Sequence, residues 1–208
     1  PKTPHVLENL LCTHGSGTII TPVSSQAAVS PALTLATLRR RAMLVLPGGS
    51  SPLGALSFAG AALELAEQIE RKECPAPERI YVALGSSGTM AGLLLGAKLA
   101  GLDTEVVGVR VTPRIMANEL TVAKLAGGTS TLLRKRAPEA PTHRFSPKQI
   151  KVIHDQIGRG YGESTDAAER GLELARECAG IHLDTTYTAK TFAGLIEDTV
   201  KRPPKGPV

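Results

Sequence analysis

Glycine and hydroxyl-bearing residues fill a short segment, Gly85-Ser-Ser-Gly-Thr89, whose composition suits the binding of an anion. The apolar run from Ile80 to Leu84 before it predicts a buried strand, and the run from Met90 to about Ala100 predicts a helix. In such a turn the first amides of the helix lack partners, and the helix dipole favours a phosphate beside them. An ordinary strand-to-helix turn explains the same residues equally well, so composition alone leaves both interpretations open.

The glycine spacing separates this segment from two common nucleotide-binding motifs. Gly85-x-x-Gly88-x-x-x-Gly92 is neither the GxGxxG fingerprint of dinucleotide-binding domains nor a phosphate loop ending in Gly-Lys-Ser/Thr. The missing Gly-Lys-Ser/Thr argues against a nucleoside triphosphatase. An unrelated dinucleotide-binding domain is a rival interpretation, and the missing fingerprint argues against it.

Two further loops rich in small residues accompany predicted strands. One is Pro47-Gly-Gly-Ser-Ser-Pro-Leu-Gly54, after the apolar run Met43–Leu46, and the other is Gly158-Arg-Gly-Tyr-Gly162. In open parallel sheets, ligands bind at the carboxyl ends of the strands. We therefore expect these two loops and the turn at 85–89 to converge on one pocket.

The order of the predicted elements is typical of an α/β fold with a parallel sheet and helices on both faces. The valine-rich run from Glu105 to Val111 suits a strand that is covered on both faces. The other predicted strands are 18–23, 43–46, 80–84 and 181–183. The predicted helices are 6–12, 27–41, 55–72, 90–100, 115–126, 166–179 and 187–201, with a polar linker at 137–147.

Composition argues against several other kinds of function. Hydrophobic residues make up 42% of the chain and charged residues 21%, with a net charge of +5, which is ordinary for a globular protein. Aromatic residues are only 3% and tryptophan is absent, so the stacking surfaces used for nucleic acids are scarce. No apolar run reaches membrane-spanning length. The three scattered cysteines form no CxxC pair, so we expect no metal site and a reducing, cytoplasmic location.

Three stretches together resemble the D-cysteine desulfhydrase and 1-aminocyclopropane-1-carboxylate (ACC) deaminase family. They are Pro47–Leu56, Gly85–Leu93, and Gly160-Tyr-Gly162 followed by Leu183-Asp-Thr-Thr-Tyr-Thr-Ala-Lys190. The resemblance extends over roughly 6–200 and is strong at 46–111 and 158–195. It implies a tryptophan-synthase-β-like fold (fold type II), pyridoxal phosphate as the cofactor, and a small amino acid as the substrate. It also implies a homodimer for the intact protein.

The same resemblance assigns roles to individual residues. Gly85, Ser86, Ser87, Gly88 and Thr89 would hold the cofactor phosphate, in agreement with the interpretation of this turn as an anion site. Tyr161 and Tyr187 would be catalytic tyrosines, with phenols that titrate near 10 when unperturbed. A nearby cationic amine would lower that pKa and allow a tyrosine to accept a proton. Each tyrosine taken alone is better explained as an amphipathic surface residue, but their shared match to the family pattern, in loops beside predicted strand ends, favours a functional role.

Two further assignments concern the substrate and the cofactor ring. Ser50, Ser51 and Gly54 would line the substrate side, although Ser51 before Pro52 is equally well explained as a helix N-cap. Thr188 would lie near the pyridine nitrogen of the cofactor. Threonine at this position resembles the desulfhydrase branch, because the ring-opening deaminases tend to carry glutamate there.

The sequence also departs from the family pattern. It shows neither the Gly-Asn-Lys-type segment that carries the Schiff-base lysine nor the His-Thr-Gly-Gly strand, and Lys190 does not align with the Schiff-base lysine. We expect residues 1–46 to be the remainder of the smaller domain and 47–208 to form the larger, cofactor-phosphate-binding domain. The activity expected of the intact protein is elimination from D-cysteine to pyruvate, ammonia and sulfide. The alternative is an incomplete remnant that binds only a phosphate-bearing ligand or a partner chain.

Overall fold

The computed structural model describes residues 4–25, 28–40 and 42–208. These residues fall into two units, Pro1–Val45 and Leu46–Val208. The described residues of the first unit form two helices, α1 (Pro4–Gly15) and α2 (Val29–Arg40). Both helices were predicted, although Ala27 and Arg41, the expected ends of α2, lie outside the described residues.

The second unit is an α/β structure around three parallel strands in the order β1-β2-β3. The strands are β1 (Arg79–Leu84), β2 (Glu105–Arg110) and β3 (Lys151–Ile153). The helices are α3 (Pro52–Glu70), α4 (Gly88–Ala100), α5 (Glu119–Arg136), α6 (Asp166–Ala179) and α7 (Thr188–Lys201). The predicted succession β1, α4, β2 is confirmed.

Helices cover both faces of the central strand β2, as the valine-rich sequence predicted. Successive side chains of a strand point to opposite faces. The face at Gly108 meets Met90 of α4, and the face at Val109 lies against Gly194 of α7. Val109 is completely buried, which places the core of the unit around this strand.

Helices α3 and α4 of this unit approach each other through small residues. A Cβ atom at Gly92 would lie 2.6 Å from Cβ of Phe58, and one at Gly96 would lie 2.7 Å from Cβ of Ala62. Ala59 of α3 is buried in the same contact. Because this close approach fixes α4 against α3, it also fixes the position of the turn from which α4 begins.

The carboxyl-terminal residues are bound to the amino end of β1. Glu78 accepts hydrogen bonds from the amides of Lys205 and Gly206, at 2.5 and 3.0 Å. The neighbouring Arg79, only 7% exposed, donates to a Glu78 carboxylate oxygen at 2.8 Å and to the carbonyl of Arg202 at 2.6 Å. These bonds lie at the end of the strand opposite to the turn at 85–89.

Several predicted element boundaries were wrong. Residues 18–23, 43–46 and 181–183 form no strand, since each lies in irregular backbone within the described chain. Their apolar side chains are largely exposed, Met43 at 85% for example, so the apolar pattern did not reflect burial in a sheet. Helix α5 begins at Glu119 rather than near Ile115, because Asn118 caps it through its side chain with Thr121. The short strand β3 was not predicted.

Candidate functional site

The turn after β1 has the geometry of an anion-binding helix start. Ser87 takes a left-handed conformation, with φ 71° and ψ −11°, immediately before α4. Its hydroxyl does not cap the helix and instead shares a 3.0 Å hydrogen bond with Thr121. Among the described residues, the amides of Ser87, Gly88, Thr89 and Met90 have no hydrogen-bond partner. Four consecutive N–H donors therefore lie unpaired at the positive end of a helix dipole, three of them in buried residues.

The loop at 47–54 packs directly against this turn. The hydroxyl of Ser50 donates to the hydroxyl of Ser86 at 2.7 Å. A Cβ atom on Gly88 would lie 2.7 Å from Oγ of Ser50, and one on Gly48 would clash with Ser86. Two of the three predicted loops are therefore in contact, and glycine is needed on both sides of that contact.

Ser51 is the N-cap of α3 rather than a free donor. Its hydroxyl oxygen accepts a hydrogen bond from the amide of Gly54 at 3.1 Å, and Pro52 occupies the first helical position. Of the two interpretations of Ser51 drawn from the sequence, the structure shows the cap. Substrate contacts of Ser50, Ser51 and Gly54 stay a prediction.

Substituting Ser51 with alanine should lower the free energy of unfolding by about 1 kcal/mol, the usual contribution of such a cap. Binding of phosphate at the turn should be unchanged, because the donors there are amides of a different helix. Urea unfolding combined with a phosphate titration of the same variant measures both quantities. A loss of phosphate binding without loss of stability would show that Ser51 belongs to the site.

The two predicted tyrosines lie together beside the turn, although they are far from it in sequence. Cε1 of Tyr187 is 3.9 Å from the position of a Cβ on Gly85. The Tyr161 and Tyr187 hydroxyls are hydrogen-bonded to each other, and their rings meet edge to face with centroids 6.0 Å apart. Tyr161 is 55% exposed and Tyr187 38% exposed, so the hydroxyl pair is open to solvent. The third predicted loop, 158–162, is thus connected to the turn at 85–89, because its Tyr161 is hydrogen-bonded to Tyr187, which lies beside Gly85.

Asp184 holds the backbone that presents Tyr187. Its carboxylate accepts hydrogen bonds from the amides of Thr186, Tyr187 and Thr188 at 2.9, 2.7 and 2.9 Å, and from the Thr188 hydroxyl at 2.6 Å. Burial opposes ionisation of Asp184, but these bonds outweigh burial and lower its pKa. The Thr188 hydroxyl, assigned to the cofactor ring by resemblance, is therefore engaged by Asp184.

Sequence reasoning missed Asp184 and also Thr112, whose hydroxyl donates to the carbonyl of Gly85 at 2.8 Å. Asp184 had a usable signal, since an aspartate just before a predicted helix is a common cap. Thr112 had none, because only the pairing of β1 with β2 places a residue two positions beyond the end of β2 beside the turn.

The hydrogen bond from Tyr161, followed by partial burial and the charge of Asp184, raises the pKa of Tyr187 to about 12. At neutral pH this phenol is therefore a proton donor. Because its pKa in the folded state exceeds the unfolded value of about 10, its contribution to stability is complete below pH 10. That contribution is lost as the pH rises through about 12.

Replacing Tyr161 with phenylalanine should lower the pKa of Tyr187 towards the ordinary phenol value of about 10, because the largest cause of the shift is removed. The three tyrosines can be followed separately by NMR of 13Cζ-labelled protein across an alkaline titration. An unchanged Tyr187 titration in the folded variant would mean that the two hydroxyls do not interact in solution.

The comparisons with known proteins identify the class to which this fold and site belong. Residues 7–207 match the pyridoxal-phosphate dependent enzyme family, so the chain belongs to that family, whose cofactor is pyridoxal phosphate. D-cysteine desulfhydrases of Salmonella paratyphi B and Salmonella newport are each 32% identical to the chain over 209 residues. The alignments cover 91% of this chain and 58% of each relative. The chain thus spans well under two thirds of their length.

A solved structure shows the same fold. The crystal structure of an ACC deaminase homologue matches 93% of this chain and 57% of its own, with a TM-score of 0.71 at 24% identity. With the family match, this confirms the tryptophan-synthase-β-like fold expected from the sequence. The described residues contain no helix long and apolar enough to span a membrane, and no group of three His, Cys, Asp or Glu residues that could hold a metal.

The donors at the turn fit the phosphate of pyridoxal phosphate. The amides of residues 87–90 form a compact set of N–H groups without a described hydrogen-bond partner, and Gly88 carries no side chain that would separate them from Ser50. The described part of the chain places no acidic side chain in the turn itself. An anion there would meet hydrogen-bond donors without a facing carboxylate from these residues.

Proposed function

We propose that this chain is the cofactor-phosphate-binding part of a pyridoxal-phosphate-dependent lyase or deaminase that acts on a small amino acid. The unpaired amides of residues 87–90, beside a pair of hydrogen-bonded tyrosines, carry the proposal. Similarity to D-cysteine desulfhydrases supports D-cysteine as the substrate. The products would then be pyruvate, ammonia and hydrogen sulfide, with one water consumed. We place the protein in the cytoplasm because its three cysteines are free.

Some residues of this chain would bind the cofactor, and others would hold or donate a proton. The amides of residues 87–90 would bind the phosphate group, and the hydroxyls of Ser86 and Thr89 would lie beside them. When bound, pyridoxal phosphate supplies an electron sink for negative charge at the amino acid's α-carbon. Tyr187, with a pKa raised to about 12, would hold its proton at Oη and donate a hydrogen bond, and Tyr161 would orient it.

Selection of the substrate would depend on the loop at 47–54 and on Thr188. Ser50 lies at the edge of the turn, and to donate to a substrate carboxylate its hydroxyl would turn its single hydrogen away from Ser86. A threonine at position 188, neutral and held by Asp184, favours the desulfhydrase reaction over ring opening. In the intact protein we expect a homodimer, as the family resemblance implies.

The lysine that anchors the cofactor would come from outside the residues of this site. Lys190, which lies near the tyrosines, is completely buried and its amine is bound to two backbone carbonyls. Lys190 is therefore unsuited to be the lysine that anchors the cofactor. Because the relatives are longer than this chain, we propose that the whole protein supplies the anchoring lysine from another segment.

A reduction experiment tests this proposal. Purified chain is mixed with pyridoxal phosphate, reduced with borohydride, and digested to map labelled lysines. We expect reversible binding without stoichiometric labelling of any one lysine, whereas the whole natural protein should show both labelling and release of sulfide from D-cysteine. Labelling of a single lysine in this chain would place the anchor within it. Phosphate binding without turnover in the whole protein would favour a remnant that only binds a phosphate-bearing ligand.

A further inference from the structure

Lys190 is a completely buried lysine one helical turn after Tyr187. Its ammonium group donates to the carbonyl of Ile157 at 2.8 Å and to the carbonyl of Gly160 at 3.2 Å. Among the described residues it forms no ion pair within 4.0 Å. A buried charge is costly unless hydrogen bonds compensate for it. The two carbonyls are therefore the groups that retain this side chain in the interior.

The Gly160 carbonyl belongs to the loop that carries Tyr161, and the Ile157 carbonyl ends the short 3-10 helix Asp155–Ile157 directly before that loop. Gly158 and Gly162 have positive φ values of 64° and 81°, so the loop has an irregular path that strand pairing does not support. Within the loop, the other described backbone bond is a long one, from the amide of Glu163 to the carbonyl of Gly160 at 3.4 Å. The bonds of the Lys190 ammonium and the Tyr161–Tyr187 hydrogen bond thus join this loop to the start of α7.

The other tyrosine lies at the start of the same helix. Tyr187 is the residue directly before α7, three positions before Lys190 in the chain. Tyr187 is set by Asp184 at the start of that helix, and Tyr161 follows directly after a carbonyl that Lys190 holds. The start of α7 is therefore connected to both tyrosines, to Tyr187 through the backbone and to Tyr161 through Lys190.

We propose that Lys190 is a positioning residue, whose buried ammonium holds the loop at 157–160 so that the Tyr161 hydroxyl meets that of Tyr187. It touches neither substrate nor cofactor and acts through Tyr161. The catalytic meaning of this arrangement rests on the proposed function, but the arrangement itself does not. Burial lowers the pKa of Lys190, and the nearby Glu163 opposes this by favouring the charged form. Asp184 is the other charged group that faces the tyrosine pair.

Lys190→Met tests the proposal, since it keeps an unbranched side chain of similar length but removes all three donors. The variant should reproduce the effect of Tyr161→Phe on Tyr187. At pH 11, a phenol with a pKa near 12 is about 10% ionised and one with a pKa near 10 is about 90% ionised. NMR of 13Cζ-tyrosine at pH 11 should therefore show a mostly neutral Tyr187 in the natural chain and a mostly ionised one in the variant.

Lys201→Met, at an exposed position of the same helix, is the matched control and should leave the Tyr187 signal unchanged. A folded Lys190→Met protein in which Tyr187 stays neutral at pH 11 would overturn the proposal. If that variant fails to fold, the proposal is tested on the natural chain labelled with 15N-lysine, by measuring the exchange of the lysine ammonium protons with solvent. One ammonium signal protected from exchange is expected, and rapid exchange of all lysine ammonium groups would overturn the proposal. Neither readout uses the cofactor, so failure of the proposed function would appear separately, as absent phosphate binding.

Discussion

Replacing Gly88 with aspartate should reduce the affinity of the chain for pyridoxal phosphate by about 100-fold or more, or about 2.7 kcal/mol. A Cβ at this position lies 2.7 Å from Oγ of Ser50, so the new side chain must displace that serine or lean into the turn. In either case a carboxylate is placed beside the amides that we assign to the phosphate, where it repels the ligand and competes for the same donors.

Gly60→Asp is the matched control for this prediction. Gly60 lies on the exposed side of α3, and a Cβ there meets nothing within 4 Å. It adds the same charge without entering the turn, so its affinity should match that of the natural chain. Circular dichroism of both variants separates loss of binding from loss of folding. Full affinity in a folded Gly88→Asp protein would remove this turn from the site.

Replacing Gly92 with valine should destabilise the second unit by about 3 kcal/mol or more, because the branched side chain would enter the α3–α4 contact. A Cβ at Gly92 lies 2.6 Å from Cβ of Phe58 and 3.1 Å from the amide nitrogen of Ala59. The neighbouring atoms are mostly backbone and cannot rotate away, so the helices must separate. The start of α4 would move with the helices, and the amides of residues 87–90 would no longer be held in their present positions.

Denaturant unfolding of Gly92→Val beside Gly60→Val measures the effect. The control places the same residue in an open position and should change the free energy of unfolding by less than about 1 kcal/mol. If the two variants were equally stable, α3 and α4 would not be packed through Gly92 in solution.

The part of the fold that could be predicted from sequence is the part with a strong local pattern. The run from Ile80 to Val111 contains two continuous apolar strands on either side of an apolar helix, and glycine fixes the turn between them. The end of α6 at Gly180 was also correct, because glycine takes the left-handed conformation that stops a helix. The strands predicted from the apolar runs at 18–23 and 43–46 were wrong, because an apolar run forms a strand only if another strand pairs with it.

The convergence of the small-residue loops could also be predicted from the sequence. Small-residue loops at strand ends indicated convergence, and the structure brings Ser50, Ser86, Tyr161 and Tyr187 together around Gly85. The residues that support them were not predictable in the same way. Lysine is usually exposed, so nothing in the local sequence indicates that Lys190 is buried beneath a loop thirty residues away in the chain.

The most direct test of phosphate binding at the turn is a 15N NMR titration of this chain with pyridoxal phosphate and, separately, with pyridoxal. The two ligands share the ring and the aldehyde and differ in the phosphate group. We predict that the amide signals of residues 87–90 shift with pyridoxal phosphate, and also with inorganic phosphate, but not with pyridoxal. Unshifted amides at millimolar pyridoxal phosphate in the folded chain, or equal shifts with pyridoxal, would contradict the assignment of this turn to the cofactor phosphate.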